Sequence, residues 1–169
     1  SIPLRISKEL TLGSMKPLGT TKMIVALLGK AGAGKTTIAR AMSKYVEGSI
    51  VIDGDELRAA TKNFNIKTSG REANIRLGYS RAKDLSELGH TVFVAMQAPI
   101  KEIRDEYLSA GDLEVLVINN GCNPKDDKGY NKDFNPDYSG VVVNQELQSF
   151  KEEDFYKLIK QASLECGQT

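Results

Sequence analysis

GKAGAGKT, residues 29–36, stands between the apolar run MIVALLG (23–29) and the segment TTIARAMSKY (36–45). The run before it has no polar alternation, as a strand covered on both faces requires. After it, Ile38, Ala39, Met42 and Val46 fall near one helical face, so the spacing predicts a helix over 35–46. The spacing G-x-x-x-x-G-K-[ST] between a strand and a helix is the context in which a glycine-rich turn cradles phosphate.

Working outward, the same alternation repeats. SIVIDG (49–54) is a second strand ending in acid, and ELRAATKNF opens a short helix from Glu56 that breaks before Lys67. Ser69 and Glu72 form a capping box for a helix from Gly70 to Leu88, closed by Gly89. TVFVAMQ (91–97) is a third strand, and Pro99 suits the first turn of a helix reaching Ala110. EVLVINN (114–120) and GVVVNQ (140–145) are the fourth and fifth strands, and Ser149 with Glu152 caps a last helix to Glu165. Strands alternating with helices predict an α/β three-layer sandwich with a five-stranded, mostly parallel sheet. With the phosphate loop, the expected fold is that of the P-loop nucleoside triphosphate hydrolases, of the nucleotide-kinase-like type. Ligands then belong at the carboxyl ends of the strands. Segment 121–139, GCNPKDDKGYNKDFNPDYS, has no periodicity and reads as a lid or binding loop.

The 169 residues suit one domain, and 40% hydrophobic with 27% charged residues is ordinary globular composition. Residues 1–14, ending in Gly13-Ser14 before Met15, read as an expression tag or disordered leader, leaving 15–169 as a single domain. A net charge of +1 gives no global field for nucleic acid or an anionic membrane. Cys122, Cys166 and the single His90 form neither a zinc pattern nor a disulfide framework, so the reducing cytoplasm is the expected compartment. No run reaches the length of a membrane span. His90 after Gly89 suits a helix-end turn, and Cys122 reads as inert.

A loop closing on a helix N-terminus aims several unpaired N–H groups and the positive end of the helix dipole at one point. Gly29, Lys30, Ala31, Gly32, Ala33, Gly34, Lys35, Thr36 and Thr37 make up this cradle, with Lys35 reaching the β- and γ-phosphates and the Thr36 hydroxyl suited to Mg²⁺. The plainer account is a glycine-rich turn with a surface lysine. No N-K-x-D follows the fourth strand, which disfavours guanine recognition, and no acid ends the third, which disfavours a motor ATPase.

The acids lie in DGDELR (53–58). Asp53 and Asp55 straddle a glycine and in extended backbone would point to the same side. Either could organise the Mg²⁺ or accept a proton from an attacking hydroxyl, and either could instead cap the following helix. Arg58 would sit within a turn of them. In REANIR (71–76), Arg71 and Asn74 share a helical face with Ile75 beside them, suited to an anion and a base edge, or simply to a solvated first turn.

Taken together, GKAGAGKTTIARA, DGDELR, REANIR and P-x-x-x-x-R (Pro99 to Arg104) resemble the adenylylsulfate kinase family over residues 23–110. The resemblance implies an ATP- and Mg²⁺-dependent transfer of the γ-phosphoryl to the 3′-hydroxyl of adenylylsulfate. It implies that residues 29–36 bind ATP phosphates and that Asp53 serves as base or magnesium organiser. Arg58, Arg71 and Asn74 would contact adenylylsulfate, with Asp55 and Ile75 joining them in the acceptor site. A small-molecule partner is expected, without membrane or nucleic acid, and a homodimer is compatible with it. The sequence departs from the family at Ala98, where a serine is usual, and at Ile66, with Phe64 nearby, where an aromatic is usual. It departs again in the shortened lid, where Cys122 replaces an arginine and Phe134 or Tyr138 could supply a ring. Two alternatives follow: the same transfer to another hydroxyl acceptor, such as a modified nucleotide, polynucleotide end or small polyol, or a nucleotide-binding domain without turnover.

Overall fold

The apolar run at 23–28 organises the molecule. A computed structural model describes residues 22–65, 67–118, 131, 134, 136 and 141–144. Its elements run β1 (Met23–Leu28), α1 (Lys35–Ser43), β2 (Ile50–Asp53), α2 (Gly54–Thr61), α3 (Thr68–Glu87), β3 (Thr91–Ala95), α4 (Lys101–Tyr107), β4 (Leu113–Ile118) and β5 (Val141–Asn144). The strands form one five-stranded sheet in the order β2-β3-β1-β4-β5, every neighbouring pair parallel.

All six residues of β1 are buried, and their alternation sorts them onto two faces. Met23, Val25 and Leu27 pack with Ile38, Ala39 and Met42 of α1 and with Phe93 of β3. Ile24, Ala26 and Leu28 pack instead with Ile75, Tyr79 and Ala82 of α3 and Ile103 of α4. One helix layer on each face gives the expected three-layer sandwich. Each such aliphatic side chain contributes about 1.5–3 kcal/mol on burial, so this central strand carries much of the core. Among the described residues, no helix is long and apolar enough to cross a membrane.

Local details differ from the sequence reading. Helix α3 begins at Thr68 with Lys67 as N-cap and no side-chain cap, so the Ser69–Glu72 capping box does not form. Asn65 takes over the chain entry: its Oδ1 accepts the Lys67 N–H (3.0 Å) and its Nδ2 donates to the Ser69 hydroxyl (3.2 Å). Pro99 precedes the α4 N-cap, Ile100, rather than occupying the first turn. Helix α1 stops at Ser43 because Tyr45 and Val46 turn back on the carbonyls of Met42 and Ser43. Asp53 and Asp55 do not alternate along one strand, since β2 ends at Asp53 and α2 starts immediately, at Gly54 rather than Glu56. As expected, a glycine ends α3, with Gly89 at φ 102°; His90 follows that turn, its Nδ1 3.0 Å from the Gly48 carbonyl. The expected leader at 1–14 and last helix at 149–165 lie outside the described residues.

Candidate active site

Strand β1 runs at the middle of the sheet, with β3 on one side and β4 on the other, so the loop leaving it opens into the crevice where connections diverge to both faces. That loop is Gly29–Gly34. Gly32 (φ 85°) and Gly34 (φ 97°) are left-handed, a conformation a side chain would strain, and Gly34 is the N-cap of α1. The α1 amides therefore face a cavity of about 370 Å³ lined by loop residues, Thr36, Thr37, Asp53, Gly54, Asp55 and the β3 tip. Lys35 folds its ammonium over the loop, donating to the carbonyls of Gly29 (2.9 Å) and Lys30 (2.8 Å).

Parallel pairing of β2 with β3 carries Asp53 to the same end of the sheet. The Thr36 hydroxyl donates to Asp53 Oδ1 at 2.6 Å, and Asp53 Oδ2 accepts the Glu56 N–H at 3.1 Å. Asp53 is thus both the N-cap of α2 and a wall of the cavity. Asp55, in the exposed first turn of α2, also lines the cavity.

Of the other anticipated residues, Arg71 and Asn74 do not line the cavity but bond to residues that do. Arg71 donates to Gln97 Oε1 (3.1 Å), and Gln97 lines the cavity. Buried Asn74 donates to the Gly54 carbonyl (3.2 Å), while its Oδ1 has no hydrogen-bond partner among the described residues. Arg58 points elsewhere, donating to the Asn65 carbonyl (2.7 Å). Ile75 is not in the cavity but in the core against β1 and β3. Gln97 and Asn131 are the residues that sequence reasoning passed over. Asn131 grips the main chain of Ala31, and Gln97 hydrogen-bonds to it. A polar side chain ending the apolar run of β3 was a usable signal for Gln97; Asn131 lies in an aperiodic segment and had none. Arg104, last residue of the P-x-x-x-x-R pattern, is fully buried, donating to the Ala98 carbonyl (2.8 Å) and to Glu114 Oε1 (3.3 Å). It holds the turn after Gln97 against β4.

Among the described residues no group of three or more His, Cys, Asp or Glu side chains could hold a metal ion. A hydroxyl and a carboxylate facing each other, as Thr36 and Asp53 do, nevertheless suit Mg²⁺, which prefers few protein oxygens and retains several waters.

Residues 21–133 match the family described as adenylylsulphate kinase. The chain belongs to that family. It is 36% identical over 112 residues to the adenylyl-sulfate kinase of Chloroflexus aurantiacus, covering 61% of this chain and 60% of the relative. A probable adenylyl-sulfate kinase from Synechocystis is 34% identical over 112 residues, 61% of this chain and 63% of the relative. The match thus spans about three fifths of the length of these curated relatives. Among solved structures, the Mycobacterium tuberculosis APS kinase in complex with AMPPNP and APS superposes with a TM-score of 0.66 at 19% identity, covering 88% of this chain and 99% of that one. A gluconokinase from Sinorhizobium meliloti superposes with a TM-score of 0.59 at 16% identity, covering 88% and 98%. At those identities the likeness is one of fold, and the adenylylsulphate kinase fold is shared with kinases of other acceptors.

Proposed function

We propose that this chain is an ATP-dependent kinase that moves the γ-phosphoryl of ATP to the 3′-hydroxyl of adenylylsulfate, forming 3′-phosphoadenylylsulfate in the cytoplasm for sulfate assimilation. The observation that carries the reading is the Thr36–Asp53 contact, which sets a hydroxyl and a carboxylate at the mouth of the phosphate cavity in a member of this family.

Phosphoryl transfer through a loose transition state asks for positioning and charge neutralisation more than covalent help. The amides of Gly32–Thr37 and the dipole of α1 would receive the phosphate oxygens. Lys35 would exchange its two loop carbonyls for a phosphate oxygen, delivering a positive charge where negative charge migrates. Thr36 and Asp53 would hold Mg²⁺, which when bound neutralises the phosphates. The acceptor would enter on the side of α3, with Arg71 taking its anion through a planar, multidentate guanidinium and Asn74 presenting its unsatisfied Oδ1 to a donor. Arg58 would join them by releasing the Asn65 carbonyl. Asp53 or Asp55 would accept the proton of the attacking hydroxyl at a carboxylate oxygen.

The test is ADP release from MgATP with adenylylsulfate, gluconate, a nucleoside, a 5′-hydroxyl oligonucleotide or no acceptor. Stimulation by adenylylsulfate alone is expected. Stimulation by another acceptor moves the assignment to that substrate, and ATP binding without stimulated release makes the chain a nucleotide-binding domain.

A further inference from the structure

Asn131 is wholly buried, and a buried amide must find partners for both its oxygen and its nitrogen. It finds them on one residue of the phosphate loop: Oδ1 accepts the Ala31 N–H at 2.8 Å and Nδ2 donates to the Ala31 carbonyl at 3.1 Å. Both main-chain groups of Ala31 are thereby closed by one side chain from a position 100 residues away, much as a neighbouring strand would close them. Asn131 Oδ1 also accepts from Gln97 Nε2 at 3.2 Å, and Gln97 Oε1 accepts from Arg71 at 3.1 Å. The run Arg71–Gln97–Asn131–Ala31 crosses from the acceptor side of the cavity to its phosphate side.

The direction of this run is set by chemistry. A guanidinium only donates, so Arg71 must read the oxygen of Gln97. The Gln97 nitrogen must then meet an acceptor, which is Asn131 Oδ1. The Asn131 nitrogen in turn faces the Ala31 carbonyl. An anion that draws Arg71 away releases Gln97 Oε1 and with it the reason for that order.

We infer that Gln97 and Asn131 are positioning residues that couple occupation of the acceptor side to the geometry of the phosphate loop. This rests on the proposed function for the acceptor but not for the loop. Cutting the run at Gln97 should uncouple the two sides and leave the Asn131 grip on Ala31 intact. Removing the Asn131 amide should weaken nucleotide binding by itself. Glu at 97 would hold Arg71 but offer only acceptors to Asn131, turning its amide the wrong way for Ala31.

Calorimetric titration of ADP with Mg²⁺, without and with saturating adenylylsulfate, tests this on the wild type, Gln97→Leu, Gln97→Glu and Asn131→Leu, each checked by thermal melting. The wild type should show an ADP affinity that differs with and without adenylylsulfate. In Gln97→Leu the difference between the affinities with and without acceptor should disappear, whatever the affinity without acceptor. Gln97→Glu and Asn131→Leu should bind ADP about three- to tenfold more weakly, the worth of one or two hydrogen bonds. With adenylylsulfate binding established by its own titration, a wild-type ratio of one, or a Gln97→Leu variant that keeps the wild-type ratio, overturns the coupling. If adenylylsulfate does not bind the wild type, the proposed acceptor is wrong. The loop assignment then stands or falls on the ADP affinities of Gln97→Glu and Asn131→Leu, which overturn it if unchanged.

Discussion

The Thr36 hydroxyl donates a 2.6 Å hydrogen bond to Asp53 Oδ1, tying the first turn of α1 to the tip of β2 across the mouth of the cavity. Asp53 spends its other oxygen capping α2. These two duties can be separated, because asparagine caps a helix about as well as aspartate but neither takes up a proton nor brings charge to a metal. Asp53→Asn should therefore melt close to wild type while acceptor-stimulated ADP release falls about 100-fold or more, the scale of general-base loss. Asp53→Ala should lose the same activity and in addition about 1 kcal/mol of stability with the cap. Melting curves and a coupled ADP assay read both. Survival of activity in Asp53→Asn, with loss in Asp55→Asn, would transfer the proton-accepting role to Asp55.

Lys35 holds its ammonium on the carbonyls of Gly29 and Lys30. These bonds are partly exposed, so their loss costs the fold little, about 1 kcal/mol. The charge they hold in readiness matters far more to a transferring phosphoryl group. Lys35→Ala is expected to lower kcat/KM for ATP by about 100- to 1,000-fold, with a near-normal urea midpoint. Steady-state kinetics beside a urea titration make the comparison. Wild-type kinetics in the variant would argue against the kinase reading.

How far the sequence foretold this site depends on the range of the interactions. Gly29–Thr36 could be read because an unbroken buried strand and an amphipathic helix flank a loop whose glycines need left-handed φ, all local properties. Asp53 could be read as an acid at a strand's carboxyl end, but its relation to Asp55 could not, since the strand ends at Asp53, two residues before Asp55. The Ser69–Glu72 cap failed because Asn65, outside the pattern, competes for the same turn. Ile75 followed Asn74 in sequence, yet one step around a helix turned it from the cavity into the core. Asn131 reaches Ala31 only through tertiary structure, which no periodicity reports.

Arg104 has no exposed side-chain surface, and its partner Glu114 keeps 20% of its own. Removing one member of a fully buried pair costs about 3–5 kcal/mol. Solvent at Glu114 reduces this, so Glu114→Gln should destabilise by about 2 kcal/mol in a urea titration. Arg104→Met should cost as much or more, since it also leaves the Ala98 carbonyl without its donor. The double variant Arg104→Met with Glu114→Leu should cost less than the sum of the single changes, because neither charge is then stranded. Full additivity would mean the two side chains do not act as a pair.

Tyr79 is buried edge-on to Tyr107 at 6.3 Å, and its hydroxyl has no hydrogen-bond partner among the described residues. Burial pushes its phenol well above the ordinary value of 10.0, against a smaller downward pull from Arg104 and with a further push from Glu114. The unfolded chain releases this proton near pH 10 and the folded chain does not. Above that pH the unfolded state therefore binds fewer protons, so stability falls as pH rises, by up to about 1.4 kcal/mol per unit from this group. Below pH 10 the group is neutral in both states and contributes no slope. Tyr79→Phe removes an unpaired buried hydroxyl while keeping the ring, so at neutral pH it should be neutral or slightly stabilising. Between pH 10 and 11 its urea midpoint should decline less steeply than that of the wild type. Parallel slopes would mean that the phenol ionises as readily in the folded chain as in the unfolded one.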